Sequence, residues 1–421
     1  MKTPNPNPPR LGLNLLMICL LAIAIRVVWA MIVPVDPVSD SVAYDTFAKN
    51  IWMHNTYGWE ANEPTSFWPV GTAAIYSIFY SVFGHAYWPI IVFNIACSLV
   101  IIVCTSLLCD RFLKNDPTVS TSDRSSIGLY AALFLAICPT LIFFTTILAS
   151  ELPYMAFIFA ALYTITQSKN AGYIQIGITS GILFAIAYYI RPLATIPMSI
   201  GIFSLFFIST GIKIFIGRVL ILGLVSALLI APWAYRNYQL YKSFVPMSTN
   251  GGATLWMGNH PGTNGGYAKL PEKVHGLDEY SRDQILKQDA IDYIKQEPLT
   301  FIARTFDKFV KFHARETIGV TWNEPGLTER FGNWIILPLK LLTQSYWTIM
   351  LILGLAGIIW YTINNGTLQT ITHPFILIWI STAGIHSVIV SQDRYHIPII
   401  PLVAAFGAYC IAQWLARRSA P

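Results

Sequence analysis

About ten apolar stretches dominate this sequence and restrict what it can fold into. A helix needs about 20 apolar residues to cross a bilayer, and inside the bilayer only helices or closed barrels satisfy their backbone hydrogen bonds. Charged residues form 11% of the chain, against about 25% in soluble domains. The sequence therefore predicts an all-α polytopic membrane protein. The predicted spans are residues 11–33, 87–109, 127–148, 153–167, 172–190, 193–209, 214–234, 344–363, 373–390 and 396–415.

The distribution of charge predicts the orientation, because cytoplasmic loops collect lysine and arginine. With the N-terminus in the cytoplasm, the loops on that side carry ten cations and three acids, and the short outer loops carry three cations and seven acids. Both termini are then cytoplasmic, which fits an even number of spans in the cytoplasmic (inner) membrane. The ten cations are Lys2, Arg10, Arg111, Lys114, Arg124, Lys169, Lys213, Arg218, Arg417 and Arg418, and the acids are Asp110, Asp116 and Asp123.

Three regions follow from this pattern. Residues 1–234 form a membrane domain of about seven spans, with a first outer loop at 34–86. Residues 235–343 form a periplasmic or extracellular domain, and residues 344–421 carry about three further spans. The net charge of +6 reflects this topology, and no basic run interleaved with aromatic residues indicates nucleic acid.

The outer domain contains two predicted helices. Apolar spacing predicts the first at 280–296, and Pro298 ends it. The second covers about 299–315 and is both basic and aromatic, which suits a helix on the membrane surface. A small soluble helical cap is the alternative.

Asp40 is the first candidate for chemistry, because ionisable residues at the ends of spans are costly. Pro34 and Pro37 stop the first span, and Ser39 is predicted to cap a new helix that begins near Asp40. A carboxylate at this boundary can accept a proton from an incoming hydroxyl group. The alternative is an acid that stabilises the helix N-terminus.

Glu151 is the second candidate, since no other acid lies between Asp123 and Glu272. A lone carboxylate at an outer helix junction could be a second active-site acid or a metal ligand. The alternative is a capping acid ahead of Pro153.

Two arginines between spans suggest an anionic substrate. Arg191 and Arg394 both lie in predicted outer turns, and a guanidinium group can donate two parallel hydrogen bonds to a phosphate. The alternatives are pairing of Arg394 with Asp393 and anchoring at the membrane interface. The chain has no nucleotide-binding or serine-hydrolase motif, so an anionic lipid handled at the outer face is favoured.

A glycine- and asparagine-rich stretch at 258–267 contains Asn259 and His260. Successive backbone N–H groups in such a stretch can face a ligand. A plain turn is the alternative.

These short motifs, in this order, resemble the integral-membrane glycosyltransferases of the GT-C fold, near glycosyltransferase family 39 with its protein mannosyltransferases and lipid A aminoarabinose transferases. The resemblance covers about 11–410. It rests on Asp40-Ser41-Val42-Ala43-Tyr44-Asp45, Phe67-Trp68-Pro69-Val70-Gly71, Ser150-Glu151-Leu152-Pro153, Arg191-Pro192-Leu193-Ala194, Pro232-Trp233-Ala234-Tyr235-Arg236-Asn237, Gly258-Asn259-His260-Pro261-Gly262 and Arg394-Tyr395-His396-Ile397-Pro398.

The resemblance implies an inverting sugar transfer from a polyprenyl-phosphate donor to an acceptor hydroxyl at the outer face of the membrane. Asp40 would be the base and Glu151 its partner acid, with a divalent metal near them left open. Arg191 and Arg394 would bind the donor phosphate, with Tyr395 beside them. The remaining candidates for substrate binding are Glu63, Asn259 and His260.

The chain departs from both named branches of the family. Asp40 is not followed at once by the second acid of the protein mannosyltransferases. The lysine-containing first-loop motif of the aminoarabinose transferases is absent, and Asn62-Glu63-Pro64-Thr65 stands nearby instead. The acceptor, whether glycan, lipid or protein, therefore stays open. A flippase or transporter of polyprenyl-linked sugars is the alternative from another class, although apart from Arg26 in the first span the sequence shows no charged path through the middle of the membrane. A glycan ligase or polymerase of the same fold is a second alternative.

Overall fold

A computed structural model of the chain describes residues 8–113, 121–167, 172–208 and 211–419. Helices fill most of these residues and no β-strand occurs among them, so the all-α class is confirmed. Four residues used for the orientation, Lys2, Lys114, Asp116 and Lys169, lie outside the described residues. The helices are α1 (Pro8–Ile32), α2 (Asp40–His54), α3 (Gly71–Phe83), α4 (Trp88–Phe112), α5 (Thr121–Ile137), α6 (Pro139–Phe143), α7 (Glu151–Ile165), α8 (Tyr173–Ile190), α9 (Thr195–Ile208), α10 (Ile212–Tyr241), α11 (Gly251–Gly258), α12 (Glu279–Gln296), α13 (Pro298–Ala314), α14 (Ile318–Thr321), α15 (Glu324–Phe331), α16 (Ile336–Asn365), α17 (Thr367–Ile371), α18 (Pro374–Val388) and α19 (Ile400–Ser419).

Each predicted span coincides with a helix or a bent helix pair, but the helices differ in length. Within the described ranges, six helical segments are long and apolar enough to cross a membrane, and the pair α5–α6, bent by 53°, would be a seventh. The other three predicted spans are the shorter helices α7, α9 and α18, so the count of ten stays a prediction. The six long segments are Gly12–Ile32, Trp88–Phe112, Tyr173–Ile190, Ile212–Tyr241, Asn333–Asn365 and Ile397–Arg418.

Helix α7 packs against α4, α8 and α9. Its side chains are buried along most of its length, including Leu152, Tyr154 and Met155. A helix that is enclosed by other helices can be shorter than the thickness of the bilayer. Its first residue, Glu151, is thereby carried into the protein interior.

Close packing of α16 on α19 depends on glycine. A Cβ atom on Gly357 would lie 2.0 Å from the carbonyl oxygen of Phe406, and one on Gly354 would lie 2.9 Å from Val403. Small residues allow two helix backbones to approach each other in this way. The approach fixes the position of α19 and of the loop that precedes it.

Helix α2 lies against α3 and is held there by Asp45. The Asp45 carboxylate accepts hydrogen bonds from the Tyr80 hydroxyl at 2.6 Å and pairs with Lys49 and His85, each at 2.9 Å. Burial alone would raise the pKa of Asp45, but these partners hold it below its ordinary value. The anchored helix presents Asp40 at its first residue.

The helix boundary predicted at Pro298 is confirmed, because α12 ends at Gln296 and α13 begins at Pro298. Helix α13 packs against α18. It buries Phe312 on that side and leaves Ile302 and Phe306 exposed.

Arg26 caps the broken helix α5–α6 from within α1. Its side chain is fully buried, and its two Nη atoms donate to the carbonyl oxygens of Ala136 at 2.9 Å and Leu135 at 3.2 Å. These carbonyls belong to the last turn of α5, where helical partners are missing, and a cation there also meets the negative end of the helix dipole. The charge within a predicted span is therefore bound to backbone and does not line an open path.

We expect Arg26→Met to lower the thermal unfolding midpoint of the detergent-solubilised protein by more than about 3 °C. The substitution leaves two buried carbonyls without a donor, at about 1–3 kcal/mol each. Arg330→Met, at an exposed position on α15, is the control. Equal midpoints for the two variants would show that the cap contributes nothing.

Candidate active site

Asp40 and Arg394 form an ion pair between the start of α2 and the loop before α19. Nη1 of Arg394 lies 2.5 Å from Oδ2 of Asp40, and the two side chains are 14% and 22% exposed. Burial alone would lower the pKa of Arg394, but Asp40 raises it well above its ordinary value. The alternative pairing of Arg394 with Asp393 is not observed: Arg394 pairs with Asp40, and Oδ2 of Asp393 lies 3.8 Å from Nε of Arg315.

Ser39 occupies the N-cap position of α2, as predicted, but its side chain makes no capping hydrogen bond. Its backbone has a φ of 53°, in the left-handed region that few L-residues adopt. The prediction of a serine cap is therefore wrong in its detail. The strained turn after Pro37 directs Asp40 towards Arg394, and the acid is occupied by that arginine.

Glu151 and Arg191 form a second ion pair, between the start of α7 and the end of α8. Nη2 of Arg191 contacts a carboxylate oxygen of Glu151, and its Nε donates to the Ser150 hydroxyl at 2.9 Å. Glu151 is 1% exposed. Burial would lower the pKa of Arg191, but Glu151 raises it above its ordinary value. Each of the two predicted acids thus pairs with one of the two predicted arginines.

Tyr44 joins the two pairs into one cluster. It lies one helical turn after Asp40 on α2, so both side chains share a face, and the charges of Asp40, Arg191 and Glu151 all act on it. Burial raises the pKa of Tyr44 to about 12, so its phenol stays neutral and can donate a hydrogen bond at physiological pH. Sequence reasoning missed Tyr44 as a site residue, although its spacing of four residues from Asp40 was the available signal.

The Arg394 guanidinium group is enclosed by aromatic rings. Its central carbon lies 5.1 Å from the ring centre of Trp322 and 5.3 Å from that of Tyr395, and Tyr395 itself stacks on His386 at 4.3 Å. Nε of Arg394 is buried and has no hydrogen-bond partner within the described part of the chain. The arginine therefore keeps one donor for a ligand.

His396, two residues beyond Arg394 in the same loop, forms a buried pair with Glu316, which lies between α13 and α14. Nε2 of His396 is 2.5 Å from Oε2 of Glu316, and the residues are 0% and 1% exposed. Trp347 stacks on the imidazole at 4.3 Å. Burial raises the pKa of Glu316 despite its contact with His396. The pair fixes the loop that carries Arg394, and sequence reasoning did not find Glu316.

Three predicted substrate-binding residues do not join the cluster. Glu63 is exposed in the first loop, where its N–H donates to the Glu60 carbonyl at 3.3 Å. Asn259 and His260 follow α11, and within the described part of the chain neither of them contacts the two ion pairs.

Asn259 supports the fold rather than facing a ligand. It is 1% exposed, and its amide donates to the carbonyls of Leu255 at 2.9 Å and Val388 at 2.8 Å. Lys308 of α13, also fully buried, donates to the Asn259 amide oxygen at 3.2 Å and to the Ile389 carbonyl at 2.7 Å. Burial lowers the pKa of Lys308 to about 8. The glycine-rich stretch is therefore fastened to the end of α18.

A cavity of about 640 Å³ has mainly apolar walls and is lined by Tyr189, which precedes Arg191 by two residues in the chain. Arg236 at the end of α10 lines it; its Nη1 donates to the carbonyl of Thr65 at 2.8 Å and to the Ser66 hydroxyl at 2.6 Å. Its Nε and Nη2 donate no hydrogen bond to any residue that the structure describes, so these donors remain for a ligand. Sequence reasoning missed Arg236 as a site residue because it belongs to a charged segment. Other lining residues are Ile51, Tyr57, Val70, Ile75, Ile186 and Trp233.

The donor set of the cluster does not fit a resident divalent metal. Among the residues that the structure describes, no three His, Cys, Asp or Glu side chains come together as ligands. Asp40 and Glu151 each pair with an arginine, so the two carboxylates carry no uncompensated negative charge for a cation. Two carboxylates also supply fewer oxygen ligands than the roughly six to eight that Ca²⁺ takes.

We expect Glu316→Leu to destabilise the protein by about 3–5 kcal/mol, because it leaves His396 buried without its partner. Glu316→Gln can still hydrogen-bond to the imidazole and should cost less. The measurement is thermal unfolding in detergent, with Glu329→Leu at an exposed site of α15 as the control. If Glu316→Leu unfolds with the control, the pair does not hold the loop.

Comparison with known proteins gives similarity at the level of the fold and no match at the level of sequence. No known protein-family profile matches the chain, and no curated protein sequence matches it. The structure is similar to that of ArnT from Cupriavidus metallidurans bound to undecaprenyl phosphate, with a TM-score of 0.55 and 11% identity over 94% of this chain and 59% of ArnT. It is also similar to an Archaeoglobus fulgidus oligosaccharyltransferase in complex with zinc and sulfate, with a TM-score of 0.54 and 14% identity over 96% of this chain and 49% of that enzyme.

These similarities confirm the resemblance at the level of the fold. The helical architecture is similar to that of these two enzymes, and the chain spans about half to three fifths of their length.

Proposed function

We propose that this protein is an integral-membrane glycosyltransferase that moves a sugar from a polyprenyl-phosphate donor to an acceptor hydroxyl group at the outer face of the cytoplasmic membrane. The observation that carries the proposal is the cluster of two carboxylate–arginine pairs around Tyr44, in a GT-C fold. Carboxylates can take the acceptor proton, and arginines can stabilise the phosphate that leaves.

Asp40 is the base in this proposal. An acceptor hydroxyl attacks the anomeric carbon, its proton passes to Asp40, and the bond from that carbon to the phosphate oxygen breaks, so polyprenyl phosphate leaves and the configuration inverts. Glu151 is buried and bound to Arg191, which suits an acid that orients the arginine and the acceptor. Tyr44 can donate its hydroxyl hydrogen to an oxygen of either substrate.

The donor phosphate would compete with Asp40 for Arg394. The guanidinium already has a spare donor at Nε, and a phosphate is a bidentate partner for it. When the phosphate binds, the hold of Arg394 on Asp40 weakens, and the carboxylate becomes a better proton acceptor. The ion pair of the free protein is therefore a resting arrangement that the donor converts to the reactive one.

The apolar cavity of about 640 Å³ suits the first isoprene units of the donor. Its walls are mainly hydrophobic, and Arg236 stands at the polar margin, stacked on Trp233 at 4.5 Å. Arg236 is thus a third candidate for the phosphate, in addition to the two arginines expected from sequence. The acceptor can be a glycan, a lipid or a protein of the envelope.

Two observations disfavour transport of the intact donor. Arg26 is bound to backbone carbonyls and does not line a path, and the charges of the cluster lie at helix ends rather than along a channel. A glycan ligase or polymerase with the same fold would leave the site unchanged and differ in the mass added per turnover.

We expect Asp40→Asn to reduce sugar transfer at least 100-fold, since general-base catalysis contributes about 10²–10⁴-fold. The assay incubates purified protein with polyprenyl-phosphate sugars and envelope acceptors and follows lipid and product masses. Asp36→Asn, at an exposed site upstream, should keep normal activity. Near-normal transfer by Asp40→Asn would refute the assignment of the base, and intact donor throughout would favour transport.

We expect Arg236→Gln to raise the KM for the donor about tenfold or more, because a hydrogen bond to a charged group contributes about 1.5–3 kcal/mol. The kcat at saturating donor should change much less. Arg330→Gln provides the comparison. An unchanged donor KM in Arg236→Gln would exclude this arginine from phosphate binding.

A further inference from the structure

A second cavity, of about 350 Å³, lies in segment 235–343, away from the cluster of ion pairs. Trp256 of α11 and His260 in the following turn line one side, and Asp289, Asp292 and Tyr293 of α12 line the other. Its volume is within the range of about 300–1,000 Å³ that small-molecule sites occupy. Nothing in the proposed reaction uses it.

The first wall is a stacked aromatic pair. The rings of Trp256 and His260 lie 4.1 Å apart and are tilted by only 9°. The indole also packs into a small hydrophobic cluster with Ala253, Val274 and Leu286, which holds the pair rigidly. Flat aromatic surface of this kind packs well against the C–H face of a pyranose ring.

His260 presents an unsatisfied hydrogen-bond acceptor. Its Nδ1 lies 2.7 Å from the Pro261 carbonyl oxygen, which only accepts, so Nδ1 carries the ring hydrogen and Nε2 is the acceptor. Burial lowers the pKa of His260, so the ring is neutral at physiological pH. Nε2 is buried and has no partner in the described residues. A ligand hydroxyl would satisfy it.

The opposite wall is rich in further acceptors. Asp292 accepts from Gln288 at 2.9 Å, which leaves its second oxygen for a ligand, and Asp289 pairs with Lys273 at 2.6 Å. An anionic ligand would be repelled by the two carboxylates, because the one cation beside them, Lys273, is already paired with Asp289. An apolar ligand would remove water from both carboxylates without replacing its hydrogen bonds. A ligand whose ring has apolar faces and carries several hydroxyl groups matches both the aromatic wall and the carboxylate wall.

The cavity is mechanically connected to the candidate active site. Arg304 of α13 donates to the His260 carbonyl at 3.3 Å and lies over the Tyr293 ring at 5.5 Å. One turn further along α13, Lys308 holds the turn at Asn259 against Ile389, five residues before Arg394. Helix α13 therefore contacts both walls of this cavity and also supports the loop that carries Arg394.

We propose that this cavity is a saccharide subsite, which binds a neutral sugar ring of a glycan substrate at a distance from the reacting hydroxyl group. The assignment rests on the proposed glycosyltransferase function for its biological setting. The sugar ring can belong to the acceptor or to an oligosaccharide donor, and kinetics separate these sources. The binding step itself requires no transfer.

Binding is tested on the purified full-length chain in a detergent without a sugar headgroup. The probes are the methyl glycosides of glucose, mannose, galactose and N-acetylglucosamine, with glycerol as an acyclic control, observed by saturation-transfer NMR. We expect at least one glycoside, and not glycerol, to bind with a millimolar Kd. His260→Phe, which keeps the stack but removes Nε2, and Asp292→Asn should each weaken binding at least fivefold. Asp307→Asn, an exposed acid of α13, should bind as the native chain does.

Absence of binding by all four glycosides, or equal binding by the native chain and both cavity variants, would overturn the subsite. Kinetics with a transferring system then identify the source of the sugar: a raised KM for acceptor glycan with an unchanged donor KM assigns the acceptor, and the reverse assigns the donor. Unchanged values for both would also reject the proposal. Glycoside binding in a chain that transfers nothing would refute the proposed function alone.

Discussion

The ion pair between Asp40 and Arg394 joins two parts of the chain that lie 354 residues apart, and the geometry of the site depends on it. Asp40 arrives on a helix anchored by Asp45, and Arg394 arrives on a loop fixed by the buried Glu316–His396 pair. Each charge is withdrawn from water by its surroundings, and unpaired burial of either would cost several kcal/mol. Pairing therefore sets the distance between the first surface helix and the last span.

The strongest sequence signals were the charges that stand in apolar surroundings. Asp40, Glu151, Arg191 and Arg394 were identified because an ionised group near a span is costly and needs a reason, and the fold brings all four into one cluster. The boundary at Pro298 was predictable for an equally local reason, since proline starts a helix more readily than it continues one. The sequence also predicted the all-α class, whereas the number of spans depends on how short, enclosed helices such as α7 are placed.

The residues that escaped prediction lie where polar and aromatic groups are common. Glu316 and Arg236 belong to a segment rich in charge, so neither stood out until the fold showed one buried and the other beside a cavity. Tyr44 becomes notable only through its neighbours at the start of α7 and the end of α8. Asn259 shows the reverse: its glycine-rich context suggested a ligand or a plain turn, and its amide donates to backbone carbonyls. Tertiary contact, not local pattern, separates these cases.

The burial of Lys308 has a consequence for how helix α13 can move. Its ammonium group finds oxygen partners at Gly258, Asn259, Val388 and Ile389 in a single setting of the helix. Sliding by one turn, about 5.4 Å, or rotating about the axis would strand a charge and several carbonyls in an apolar interior. The helix is consequently locked in both register and rotational phase. The exposed apolar side of α13, which includes Phe306, is then held in one direction. The contacts of Lys308 therefore determine which way this apolar surface of the protein faces.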